Sequence, residues 1–220
     1  MIKVRAVFEK KGRAKYISHL DLNRCMLRIF RRSKLPIWYT EGFNPHPYFS
    51  FALALSLGFE SDCEVLDFNL NEELPFDEVR DRLNAVMPEG MRVSSVSEQK
   101  MKITEIAKAE YDLYLLSNDY EKFGNAVDRL MAQPEILIEK KTKKGIKSVD
   151  LKQSIELLSA HPIGDIFKTF KMTLRLPAGT QTNYNPNLFL DALRNNQDQD
   201  FEILKISRTG ILCENNEIFL

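Results

Sequence analysis

Large and small side chains alternate most regularly in FSFALALSL (49–57), where Phe49, Phe51, Leu53, Leu55 and Leu57 interleave with Ser50, Ala52, Ala54 and Ser56. A period of two sends successive side chains to opposite faces of an extended chain, so this stretch predicts a strand with one bulky and one small face. GFESD turns the chain, and CEVLDFNL (63–70) returns as the hairpin partner. IKVRAVFEK (2–10) and MRVSSVSE (91–98) have the β-branched content and alternation of two further strands.

Between these strands the period becomes helical. The Ser18 hydroxyl is placed to accept an orphan backbone N–H, and Asp21 sits in the first turn, so a helix starts here and must stop before Pro36. Met26, Leu27, Ile29 and Phe30 form its apolar side. Arg24, Arg28, Arg31 and Arg32 fall opposite, within a sector about 100° wide. FDEVRDRLNAVM (76–87) predicts a second helix, opened by Pro75 and ended by Pro88 and Gly90. The order strand, helix, strand, strand, helix, strand predicts an α+β, ferredoxin-like (βαββαβ) unit: an antiparallel sheet with both helices on one face.

The second half repeats the pattern. Strands are predicted at 109–117, 135–141, 167–177 and 201–209, and helices at 119–133 and 185–196. Residues 142–165 read as an insertion between the middle strands. The expected architecture is two tandem ferredoxin-like units, 1–100 and 101–220, with the insertion at about 142–165 in the second.

Composition is that of an ordinary globular chain, 44% apolar and 28% charged over 220 residues. The zero net charge conceals an asymmetry, +8 over residues 1–50 and −8 over 51–99. Either the first segment meets an anionic partner, or the two segments pack together and neutralise each other. No run approaches the roughly 20 apolar residues of a membrane helix. The N-terminus reads as a strand and not a signal peptide. A cytoplasmic location and no membrane partner are therefore expected. Cys25, Cys63 and Cys213 are scattered, as are His19, His46 and His161, so no disulfide framework, metal site or cofactor is expected. Without a closely spaced cysteine triplet or quartet, no iron–sulfur cluster held by this chain alone is expected.

The irregular stretch YTEGFNPHP (39–47) carries the candidate chemistry. Pro45 and Pro47 force Asn44 and His46 into extended conformations, and Gly42 permits a positive φ. Such a stiffened loop suits Gly42, Asn44 and His46 to binding, while a plain turn into the sheet would use the same residues. His19, at the helix start, and His46 are the candidates for acid–base catalysis. The Arg24, Arg28, Arg31 and Arg32 face fits phosphate through guanidinium forks, and a solvated helix face has the same pattern. Trp38 and Tyr39 are candidates for stacking on a base. The lysine-rich 140–147 reads as a hairpin tip. Walker, dinucleotide, zincin and nucleophile-elbow motifs are absent from the sequence.

The runs YISHLDLNR (16–24), RRSKLP (31–36), GFNPHP (42–47) and SFALALSLG (50–58), and more loosely VDL (149–151) and SRTG (207–210), resemble a bacterial family of radical-SAM-linked proteins. Its members occur beside, or fused to, a radical SAM protein with a cobalamin-binding-type domain. The resemblance implies an accessory subunit whose partner is a radical SAM enzyme that performs any radical chemistry. Tyr48-Phe49 depart from the Lys or Arg and aliphatic residue expected there. A looser, architectural likeness is to the CRISPR repeat-processing endoribonucleases. The expected function is presentation of RNA or another anionic substrate to that enzyme. The alternatives are a metal-independent RNA-processing endoribonuclease using His19 or His46, and a plain protein-interaction module.

Overall fold

The computed structural model describes residues 1–142, 145–164, 168–180, 182–197 and 200–220. It is a mixed α and β structure dominated by sheet. The chain divides into two compact units, Met1–Ile106 with Glu217–Leu220, and Ala107–Asn216.

In the first unit, β1 (Ile2–Lys10) leads through a 3-10 turn (Gly12–Tyr16) to α1 (His19–Ser33), β2 (Phe49–Phe51), β3 (Glu60–Leu70), α2 (Phe76–Asn84) and β4 (Met91–Glu98). The strands lie in the order β4-β1-β3, with β2 also paired to β3, and these pairings are antiparallel. Ser18 caps α1 as its sequence predicts, accepting the Asp21 amide at 3.2 Å. Lys34, left-handed at φ 55°, ends the helix just short of Pro36.

The core shows why both helices cover one face of the sheet. Val4, Ala6 and Phe8 of β1 and Leu66, Phe68 and Leu70 of β3 pack with Leu22, Met26, Ile29 and Phe30 of α1 and with Val79 and Leu83 of α2. Burying each large apolar side chain contributes about 1.5–3 kcal/mol. The intervening strand residues Arg5, Asp67 and Asn69 therefore belong to the other face, and they too are buried.

The strand predicted over 49–57 stops at Phe51. Ala52 makes one more bond to β3, donating to Val65 O at 3.0 Å. The chain then turns, with the Phe59 amide on Ser56 O at 3.2 Å and the Gly58 amide on Lys15 O at 3.0 Å. Gly58 has φ +84°, so the backbone is bent toward the 3-10 turn and away from the ladder. Burial follows the bend and not the alternation: Ala52 and Leu53 are both buried, while Leu57 is exposed.

The second unit contains β5 (Ile106–Leu116), α3 (Tyr120–Ala132), β6 (Leu137–Thr142), β7 (Gly145–Asp150), β8 (Glu156–Ile163), β9 (Thr169–Pro177), α4 (Asn187–Gln197) and β10 (Glu202–Cys213). Its sheet order is β10-β5-β9-β8, with β5–β9 and β8–β9 antiparallel. Phe123 of α3 meets Phe170 and Phe201 at ring distances of 5.0 and 5.5 Å, at the centre of its core.

Here the expected insertion is displaced. The segment predicted as the second sheet strand, 135–141, pairs instead with β7 in a separate two-stranded hairpin. The strand beside β9 is β8, which lies inside the stretch read as insertion. The hairpin closes on itself: Asp150 accepts the amides of Ile136 and Lys152 at 2.8 and 2.9 Å, and the Leu151 amide reaches Ile136 O at 2.8 Å. These bonds close the base of the hairpin without the main sheet. Of the lysine-rich run, residues 143–144 lie outside the described residues, as do 165, at the end of the expected insertion, and 167, at the start of the strand predicted over 167–177.

Candidate functional site

The candidate residues belong to the first unit. On α1, Arg24 is held by Asp21 of the preceding turn at 3.1 Å, with both side chains about 60% exposed (62% and 60%). The Ser18 hydroxyl, and then Arg24, keep the Asp21 carboxyl below its usual pKa. Arg28, Arg31 and Arg32 are exposed and form no ion pair among the described residues. The basic and acidic segments do meet, through Arg5–Asp67 at 2.8 Å, Lys11–Asp62 at 2.6 Å and Lys15–Glu60 at 3.8 Å. Those contacts use β1 and the turn after it, and they leave the arginine face of α1 unspent. Mutual neutralisation thus accounts for part of the charge asymmetry and not for this helix.

The loop is built on a stem of backbone bonds. Ile37 bridges Leu70, the Trp38 amide donates to Asn69 O at 2.8 Å, and the Tyr48 amide donates to Trp38 O at 3.1 Å. Tyr39 bridges Pro47, and the Thr40 amide reaches His46 O at 2.9 Å. Gly42 stands at φ +121° in open space, so glycine serves the backbone conformation there and not close packing.

His46 Nδ1 lies 3.0 Å from Asn44 O and 3.2 Å from Thr40 Oγ1. A carbonyl only accepts, so the first contact selects the Nδ1–H tautomer and turns Nε2 away from the loop's own bonds. Asn44 is exposed, and Phe43 at the tip is fully exposed. His19 packs edge-on against Phe51, ring centroids 5.5 Å apart. Each histidine therefore has a defined structural contact of its own.

The loop stem also borders a cavity of about 460 Å³ on the sheet face that the helices leave open. Trp38 and Tyr48 line it, their rings tilted into a T-shape at 5.6 Å, together with Ser50, Asp67, Asn69 and Gln99. Asp67 is fully engaged: Arg5 Nε and Nη2 donate to its two oxygens at 2.8 Å each, and Gln99 Nε2 donates at 2.9 Å. Arg5 is fixed in turn by Met101 O at 3.0 Å and by the Phe219 ring 4.1 Å away.

Asn69 differs: the residue is largely buried, but its side-chain amide opens to the cavity and makes no hydrogen bond among the described residues. Sequence reasoning named Trp38 and passed over Ser50, Asp67 and Asn69. The available signal was an Asp-x-Asn alternation inside an otherwise apolar strand. Two further cavities, of about 660 and 520 Å³, are lined by none of the candidate residues.

The fold and this loop-bordered cavity define a mixed α and β module with a sheet-dominated core. Over residues 3–186 the chain matches the family described as an uncharacterized protein conserved in bacteria, DUF2344, and it belongs to that family. Among solved structures, a chain in a Cbf5-Nop10-Gar1 complex is similar with a TM-score of 0.50 and 9% identity. That match covers 94% of this chain and 48% of the other, so the chain spans about half its neighbour's length and shares its fold alone. An unknown protein from Galdieria sulphuraria aligns over 92% of this chain and 96% of its own at 12% identity, with a TM-score of 0.27. No curated protein matches the sequence. No helix among the described residues is long and apolar enough to cross a membrane.

Proposed function

We propose that the chain is an accessory subunit that binds single-stranded RNA, or another polyanion, through its first unit and presents it to a radical SAM enzyme. The observation that carries the binding is the row Arg28, Arg31 and Arg32, three exposed guanidiniums on one helix without a carboxylate partner among the described residues. Gly42 and the two prolines hold Phe43 out in solvent a short distance along the chain, where its ring suits base stacking. Asn44 and His46 Nε2 supply polar contacts at the same tip. The partner enzyme is supplied by the family resemblance. We also read both units as ferredoxin-like, a reading supported by the strand orders β4-β1-β3-β2 and β10-β5-β9-β8.

Filter binding of single-stranded RNA across a salt series tests the central claim. Three phosphate contacts give a slope of log K on log salt of about −2. Replacing Arg28, Arg31 and Arg32 together by glutamate is expected to abolish the binding. Affinity that ignores salt, or survives the triple change, overturns the reading. The RNA is expected to be recovered intact; cleavage by the wild type that His19→Ala or His46→Ala removes would favour the endoribonuclease alternative. Co-purification with a radical SAM enzyme checks the partner, and a chain that stays solitary under gentle extraction removes it.

A further inference from the structure

We infer that the 460 Å³ cavity beside Trp38 is a subsite for a single nucleobase carrying its sugar and phosphate. This deepens the RNA reading by naming what one nucleotide does, and it is tested apart from the arginine helix. Four features of the cavity carry it. Its volume falls in the range of small-ligand sites, about 300–1,000 Å³. Trp38 and Tyr48 supply ring surfaces against which a planar base packs.

The third feature is Asn69. It is only 6% exposed, lines the cavity, and leaves its amide without a hydrogen bond among the described residues. The amide opens to the cavity and is free to pair with a ligand. It also offers a donor and an acceptor side by side, the complement of a base edge that presents both.

The fourth is charge. Asp67 also lines the cavity, but Arg5 and Gln99 occupy its oxygens, so it does not call for a cation. Lys3 and Lys102 are exposed residues of the same lining, so a phosphate-bearing ligand is favoured over a cationic ring. Ser50 adds one hydroxyl that can donate or accept.

The sequence contains a single tryptophan, so intrinsic fluorescence reports on this cavity directly. The full chain is titrated with AMP, GMP, CMP and UMP, with ribose 5-phosphate as the control. At least one nucleotide is expected to give a saturable change, and ribose 5-phosphate none. Asn69→Leu should weaken binding at least tenfold with the circular dichroism spectrum retained. Tyr48→Ala, at a half-exposed position that folding tolerates, should weaken it at least fivefold. The inference is overturned if no nucleotide saturates, if ribose 5-phosphate responds equally, or if Tyr48→Ala binds like wild type.

A parallel titration with an abasic ribose-phosphate oligomer separates this subsite from the arginine reading. Salt-dependent oligomer binding without mononucleotide binding defeats the cavity alone. Mononucleotide binding without oligomer binding defeats the arginine helix alone.

Discussion

In the first unit, strands β1 and β3 place Arg5 directly opposite Asp67; in the second, β5 and β9 place Glu110 opposite Arg175. Each pair joins the first and third sheet strands of its unit, yet the surroundings differ. Arg5 and Asp67 side chains are 0% and 6% exposed, against 18% and 23% for Arg175 and Glu110. The first pair lies beneath Met101 and Phe219, and beside it the cover leaves the cavity that holds Asn69. The second belongs to a wetter network in which Glu156 also binds Arg175 and Lys108, each at 2.9 Å. One sheet surface has been roofed, the other left to water. The roofed surface is where polar side chains with specific geometry accumulate, because burial there makes an unmatched hydrogen bond expensive.

The largest effect should come from breaking the covered pair. Asp67→Ala strands a guanidinium in a dry site and is expected to cost about 3–5 kcal/mol in urea unfolding. It should also loosen the cavity wall, since Gln99 loses its acceptor. A loss below about 1 kcal/mol would mean that water reaches Arg5, and the contrast between the two surfaces would collapse.

A second pair of substitutions sharpens the comparison through glycine. A Cβ on Gly90 would stand 2.4 Å from Lys11 O, and its φ is +81°. Backbone strain alone makes Gly90→Ala cost about 1–3 kcal/mol, with the collision added. Gly124, inside α3 of the second unit, has only Phe170 carbons at 3.7 and 3.8 Å around the same position. Gly124→Ala is therefore expected to stabilise by about 0.5–1 kcal/mol through helix propensity. Thermal melts of the two variants should move in opposite directions; movement in the same direction would show that one of these environments is misread.

Much of this was legible in the sequence where a local rule sufficed. Ser18 and Pro36 bound α1 because a cap and a proline act within a few residues. Pro45, Pro47 and Gly42 marked the loop for the same reason. Pairings across distance were not legible. The opposed +8 and −8 segments pointed to contact, but nothing in composition selects Arg5 for Asp67, 62 residues away, over an arginine of α1. Alternation also misled in FSFALALSL, because period two describes a side-chain pattern and Gly58 decides where the ladder ends. In the second unit ILIEKK looked more strand-like than ELLSAHPI, whose Pro162 and polar residues suit an outer strand; only the Asp150 closure explains why the former stands apart as a hairpin. Asn69 was hidden because a strand's inward and outward faces are assigned only once its neighbours are known.

The smallest expected effect concerns the wet network and its response to acid. Lys108 first, and then Arg175, hold the Glu156 carboxyl below its ordinary value of 4.5. A carboxyl whose pKa is lower folded than unfolded stabilises the fold above the unfolded value, and that contribution disappears as pH falls through the folded one. Because Arg175 is partly exposed and shares Glu156 with Lys108, Arg175→Ala should cost about 1 kcal/mol or less near neutrality. Added salt should shrink the difference, and so should acid, as the carboxylates that Arg175 holds are neutralised, Glu156 among them. Melting the wild type and Arg175→Ala in parallel from pH 7 downward checks this. A difference that persists in acid and in high salt would show that Arg175 acts through the packing of its alkyl stem, so that the second unit's surface is closer to the roofed one than its exposure suggests.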